Sequence, residues 1–305
     1  GRKSKPVVSV STSLSFSAPA NLNKLDRMSS AEYIDLEREL VNKGMIDDTY
    51  YYDSSWQNFN QKKPLSDAME WMFKVKRGMA TEAERDAALA SLAKINNNRQ
   101  IRKNLLQNAS SQQYNLSISG GGESSTYFVS GNYSKDIPVF KGNKGESMFV
   151  TANIVNYLFD SRVKVSTGIN YTYNKSVSNT AGINVLSNSD LGLRPYELLR
   201  DEEGNNIKRP LRYRPEVLDD FERKGYMDWY YNPMNELDAT DNTASSNSLR
   251  LNFDVTTKLT KWANFSIMGQ LQRNLRNSEN IDYLSAYTMR NMINYGTTID
   301  KNGKM

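Results

Sequence analysis

Enzymes working near neutral pH rely mostly on histidine, cysteine or carboxylates set across a cleft, and this chain of 305 residues contains no histidine and no cysteine. Without cysteine there is no disulfide, thiolate nucleophile, zinc finger or iron–sulfur cluster. Without histidine, the usual general base and the commonest metal ligand are missing. Carboxylates remain, and acids such as Asp219, Asp220 and Glu222 could hydrolyse a glycosidic bond. They could do so only if the fold held two of them across a cleft, and neighbouring acids more often form a solvated face. The second chemical feature is the aromatic run Asp228-Trp229-Tyr230-Tyr231-Asn232-Pro233. It could stack on a sugar, meet a partner, or pack on itself as a loop. The sequence assigns no catalytic, cofactor-binding or metal-binding residue and no cofactor, and it leaves the substrate contacts unassigned.

Composition narrows the classes further. The chain is 38% hydrophobic and 24% charged, and its 39 basic and 34 acidic residues leave a net charge of +5. That excess is mild and spread along the chain, so no nucleic-acid partner is expected. The mean hydropathy is −0.68, and no run approaches the roughly 20 apolar residues of a spanning helix.

The elements that must position any site are strands. Val8, Val10, Thr12, Leu14 and Phe16 alternate with serines, and a strand sends successive side chains to opposite faces. The same period of two returns at 114–119, 127–134 and 163–174. It returns again at 249–259 and 265–272, and less cleanly at 148–159. A β-sandwich alternates too. However, several of these runs reach ten residues or more, their polar faces carry Arg250, Asp254 and Lys258, and aromatics gather near their ends. Such strands suit a transmembrane β-barrel with an apolar outer band and aromatic girdles.

Links between strands alternate between tight and long. Gly120–Ser125, Asp160-Ser161 and Thr260–Asn264 are tight, whereas 19–111 and 177–245 are long and 136–146 is intermediate. Outer-membrane barrels have short periplasmic turns and longer extracellular loops, which puts both long inserts outside the cell. The first insert carries helix signals. Ser29–Glu32 and Thr81–Glu84 read as capping boxes, Ser66 reads as an N-cap, and Gly44 and Gly78 stand at stop positions. The stripe of Met69, Met72 and Phe73 reads as core packing.

Gln112-Gln113-Tyr114-Asn115-Leu116-Ser117-Ile118-Ser119-Gly120-Gly121, with Thr126–Ser130 after it, resembles the Q-x-Y-N-L-S-x-S-G-G signature of SusC/RagA-type TonB-dependent transporters of the Bacteroidota. Met28–Tyr33, Leu193–Asp201 with Gly204-Asn205, Asp228–Pro233 and Arg290–Asn294 resemble further stretches of that family in the same order. The resemblance implies an all-β fold with helical loop inserts, here about seven strands of a plugged barrel of about 22. Gly1–Pro6 would be the exit from the plug, and residues 1–305 the N-terminal portion of the barrel. The implied activity is TonB-driven import of oligosaccharides or peptides across the outer membrane. The implied partners are a SusD-like surface lipoprotein, the TonB complex, the substrate and membrane lipid. The polar path would be lined by Asn115, Ser130, Asn170, Arg250 and Asn252. A surface adhesin or structural β domain without transport activity is the alternative.

Overall fold

Seven antiparallel strands follow one another in a single sheet, in the order β1 to β7. They are β1 (Ser4–Ser17), β2 (Ala109–Gly121), β3 (Ser125–Ile137), β4 (Lys144–Leu158), β5 (Val163–Ser178), β6 (Thr240–Lys258) and β7 (Asn264–Asp282). The computed structural model describes residues 4–50, 63–187 and 189–298; Gly1–Lys3 of the expected plug exit lie outside them. The strands form one layer, which removes the sandwich reading. The sheet is open, with β1 and β7 at its two ends. The strands have 13 to 19 residues, well beyond the usual five or six.

Pairing residues share a face, so the register tests the alternation strand by strand. Val10 pairs with Leu116, Leu116 with Gly131, Gly131 with Val150, Val150 with Tyr171 and Tyr171 with Leu249. The next row on the same face runs Val8, Ile118, Val129, Ala152, Ile169 and Leu251. Between these rows lies Ser9, Ser117, Ser130, Thr151, Asn170 and Arg250, facing the opposite way. Val7, Phe128, Phe149, Val155 and Tyr157 fall on this face by register and are exceptions to its polarity.

All three tight links lie at one end of the sheet. Gly122 donates its N–H to the Ser125 carbonyl at 2.8 Å. The β4–β5 turn holds Phe159, Asp160 and Ser161 at φ of 52°, 51° and 67°, a left-handed run that costs L residues about 1–2 kcal/mol each. Thr260 Oγ1 accepts from the N–H groups of Trp262 and Ala263.

The second unit comprises 19–107, 179–240 and 281–305. Its α1 (Ser30–Asn42) and α3 (Glu82–Ala93) begin with the expected capping boxes, and α2 (Asp67–Lys76) with its Ser66 cap. Gly44 and Gly78 take φ of 67° and 70° after α1 and α2, the left-handed stop that glycine takes without a Cβ clash. Ile34, Val41, Met72, Phe73 and Leu89 form their core, with Met69 packed against it. Five helices carry no cap or period noted in the sequence: α4 (Asn98–Leu105), α5 (Ala181–Val185), α6 (Pro215–Arg223), α7 (Pro233–Ala239) and α8 (Tyr287–Gly296). Four of them, α4, α5, α6 and α8, lack a side-chain cap hydrogen bond, and propensity alone rarely sustains so short a helix. The strands also reach further than the alternation did: β5 runs on to Ser178 and β6 starts at Thr240.

Candidate functional site

The aromatic run at 228–233 folds inward. Trp229 is buried with Tyr213, Val217 and Leu218. Its ring lies 5.1 Å from Tyr213, 5.4 Å from Phe221 and 5.4 Å from Tyr295. Its indole N–H donates to Asn291 Oδ1 at 2.7 Å. Around it, Arg290 donates to the Asp228 carbonyl at 2.6 Å, and Asn294 exchanges two hydrogen bonds with the Met227 backbone. Residues 62 to 67 apart in sequence thus form one clasp, so the self-packing reading of the run holds and the stacking-platform reading fails for Trp229.

The acids at 219–222 form no catalytic pair. Asp220 is bound by Lys224 at 2.6 Å and by Arg223 at 3.4 Å, and the Lys224 ammonium holds its carboxyl below the ordinary range. Asp219 accepts from the Tyr230 hydroxyl. Among the described residues no group of three potential metal ligands converges.

The Leu193–Asp201 stretch is likewise structural. Tyr196 is buried and donates to Glu37 Oε2 of α1 at 2.7 Å. Glu197 takes Arg194 at 2.8 Å and Arg209 at 3.0 Å. Asn97 and Gln100 hold the same stretch through its backbone carbonyls and N–H groups. Burial raises the Glu37 carboxyl, against the donors Tyr196, Ser66 and Arg194. Burial lowers Arg209, against Glu197. Beside this network lies a cavity of about 630 Å³. Leu65, Asp67, Leu92, Ile95, Arg194 and Arg212 contribute to its lining. Desolvation and then Glu197 raise the Asp67 carboxyl there. No spacing in the sequence pointed to this network, because its members come from α1, α2, α4 and a distant loop.

The Gln112–Gly121 stretch builds the sheet. Asn115 on β2 accepts from Asn132 on β3 and donates to Ser11 on β1 at 3.3 Å. Tyr114 stacks on Tyr133 across the strands at 6.4 Å. Tyr127 lies over Gly120, where a Cβ would stand 2.5 Å from its hydroxyl. The polar face therefore carries a hydrogen-bonded mesh. Thr151 donates to Asn170 at 2.9 Å, Arg250 to Gln272 at 3.3 Å and Ser248 to Asn274 at 2.6 Å. Of the five residues expected along that face, the register places Ser130, Asn170 and Arg250 in one row and puts Asn115 and Asn252 in rows on either side. The other face is apolar and open. Val10 is 74% exposed, Phe16 69% and Leu271 68%. So continuous an apolar surface marks a membrane or partner contact. At the tight-turn end Trp262 is 87% exposed.

No protein-family model matches this chain, and no curated protein matches it. Solved structures do. The RagAB peptide importer in its "closed-closed" state aligns with a TM-score of 0.55 at 14% identity, over 90% of this chain and 29% of that chain. A structure of the RagAB peptide transporter gives 0.54 at 14% identity, with the same coverage. The importer's "open-open" state gives 0.52 at 14% identity, over 90% and 28%. The fold is therefore shared with a portion of those transporters, and this chain spans less than a third of their length.

Proposed function

We propose that this chain is part of the wall and loops of a SusC/RagA-type TonB-dependent importer in the outer membrane, and that it performs no covalent chemistry. The observation that carries this reading is the face segregation: across six paired strands the rows through Val8 and Val10 are apolar and the row between them is polar, and the three tight turns lie at one end. The solved structures that share this fold are of the RagAB peptide importer, which supports an importer here, and the resemblance of the motifs to the SusC/RagA family adds a SusD-like partner. In this reading the apolar rows face lipid, and Trp262 and Phe159 anchor the periplasmic interface. The polar mesh faces the lumen, and the inserts at 19–111 and 177–245 stand outside the cell. Ten residues of β5 separate Val163 from Tyr173, roughly 33 Å of strand, which a tilt of about 40° reduces to about 25 Å of membrane thickness. TonB supplies the energy, and the cargo is an oligosaccharide or a peptide.

This chain has no cysteine, so the test needs only that any cysteine elsewhere in the whole protein is first replaced by serine. Single cysteines replace Met45, Val10 and Trp262 in the whole protein, and cells are treated with a membrane-impermeant maleimide. Met45→Cys labels on intact cells, Trp262→Cys labels only after permeabilisation, and Val10→Cys labels only after denaturation. Labelling of Val10→Cys on intact cells would instead describe a water-soluble adhesin domain. Loss of the gene with unchanged uptake of every glycan and peptide tried would refute import.

A further inference from the structure

One row of the polar face is interrupted. Asn153 on β4, Gly168 on β5 and Asn252 on β6 pair directly across three strands. Gly168 has no side chain to fill its place in the row, and it is buried beneath its neighbours. The two amides lean over it from either side. Asn153 Oδ1 lies 3.1 Å, and Asn252 Nδ2 3.4 Å, from where a Gly168 Cβ would stand. An acceptor and a donor thus converge on one point. Neither amide makes a hydrogen bond to another described residue, unlike Asn115, Asn132 and Asn170 elsewhere on this face. The notch opens into a hollow of about 400 Å³ that continues past Ser166, Met268 and Gln270. That is ample room for a small ligand group. Among the described residues that line it, Asp254 alone is charged.

We propose that Asn153, Gly168 and Asn252 form a clamp for a secondary amide carried by the imported ligand. The ligand N–H donates to Asn153 Oδ1, and Asn252 Nδ2 donates to its carbonyl, while Gly168, having no side chain, leaves room for the two asparagines to lean together. A neutral group with one donor and one acceptor satisfies both side chains at once, whereas an ion would leave one of them opposed. Two ligand classes carry this group: a peptide bond and the acetamido arm of an N-acetylated sugar. The proposal rests on the reading of this face as a transport lumen.

The test uses the whole transporter, purified in detergent, and calorimetric binding of four probes. Trialanine and diacetylchitobiose carry secondary amides; the ester analogue of trialanine and cellobiose do not. The variants are Asn153→Leu with Asn252→Leu, and Gly168→Ala, whose Cβ would press on Asn153 Oδ1. Heat-modifiable gel mobility confirms that each variant barrel is assembled. Losing two hydrogen bonds should weaken an amide probe roughly tenfold, with the amide-free probes unchanged. A selective loss for trialanine identifies a peptide ligand, and one for diacetylchitobiose an acetamido sugar. Equal weakening of amide and amide-free probes, no weakening at all, or no binding of either amide probe to the unaltered protein overturns the clamp. Uptake by cells lacking the gene is measured separately, so failure of the transport reading is distinguished from failure of the clamp.

Discussion

Leu251 and Arg250 are neighbours on β6 that pair with Ile169 and Asn170 on β5, and so lie on opposite faces of the sheet. This gives a matched pair of environments for one substitution. Leu251→Arg puts a guanidinium in the middle apolar row, midway between the tyrosines at one end and the tight turns at the other. An arginine facing lipid at the bilayer midplane costs about 2–4 kcal/mol, falling to about 0–1 kcal/mol near the interface. Val255 lies on the same face four residues nearer the tight turn. That is about 13 Å along the strand and about 10 Å in depth at a tilt of 40°, so Val255→Arg should cost about 1 kcal/mol. Thr172→Arg, on the polar face opposite Ser248, should change stability by less than either. Urea titration of the whole transporter in lipid bilayers, compared through midpoint and slope, gives the three values. Equal costs at 251 and 255, or a larger cost at 172 than at 251, would refute the assignment of the apolar rows to lipid.

Trp229→Ala removes the ring around which Tyr213, Phe221 and Tyr295 gather. A loss of about 3–5 kcal/mol is expected, read from denaturant unfolding followed by near-ultraviolet dichroism, and a loss below about 1 kcal/mol would contradict the buried clasp. Burial holds the Glu37 carboxyl above its ordinary range, so the folded state keeps that proton longer than the unfolded chain. Its contribution is then present at pH below the ordinary carboxylate range and declines as pH rises toward the raised value. Glu37→Gln should flatten that decline in a stability–pH profile, and an unchanged slope would show that Glu37 does not titrate as placed. Ser161→Gly should stabilise the β4–β5 turn by about 1 kcal/mol by relieving a left-handed φ of 67°; a destabilising effect in the same urea titration would mean that the turn is not strained there.

What the sequence decided alone is local. Alternation over β1, β2, β3, β5 and β6 named the two faces correctly, because a strand's period of two is a property of the backbone. Ser29–Glu32 and Thr81–Glu84 announced α1 and α3, because a capping box satisfies N–H groups within four residues. The tight links at 122–124 and 260–263 were legible for the same reason. Tertiary structure decided what depends on distant partners. Helix α4 exists because Ile101 and Leu105 are buried and because Asn97 and Gln100 bind the 194–200 backbone. Trp229 became core rather than a binding surface because Asn291, some 60 residues on, takes its indole N–H. Gly168 reads in the sequence as one small residue in a strand. Only the register brings Asn153 and Asn252 to either side of it, since which residues face each other across strands is fixed by pairing and loop length and not by the period of any one strand.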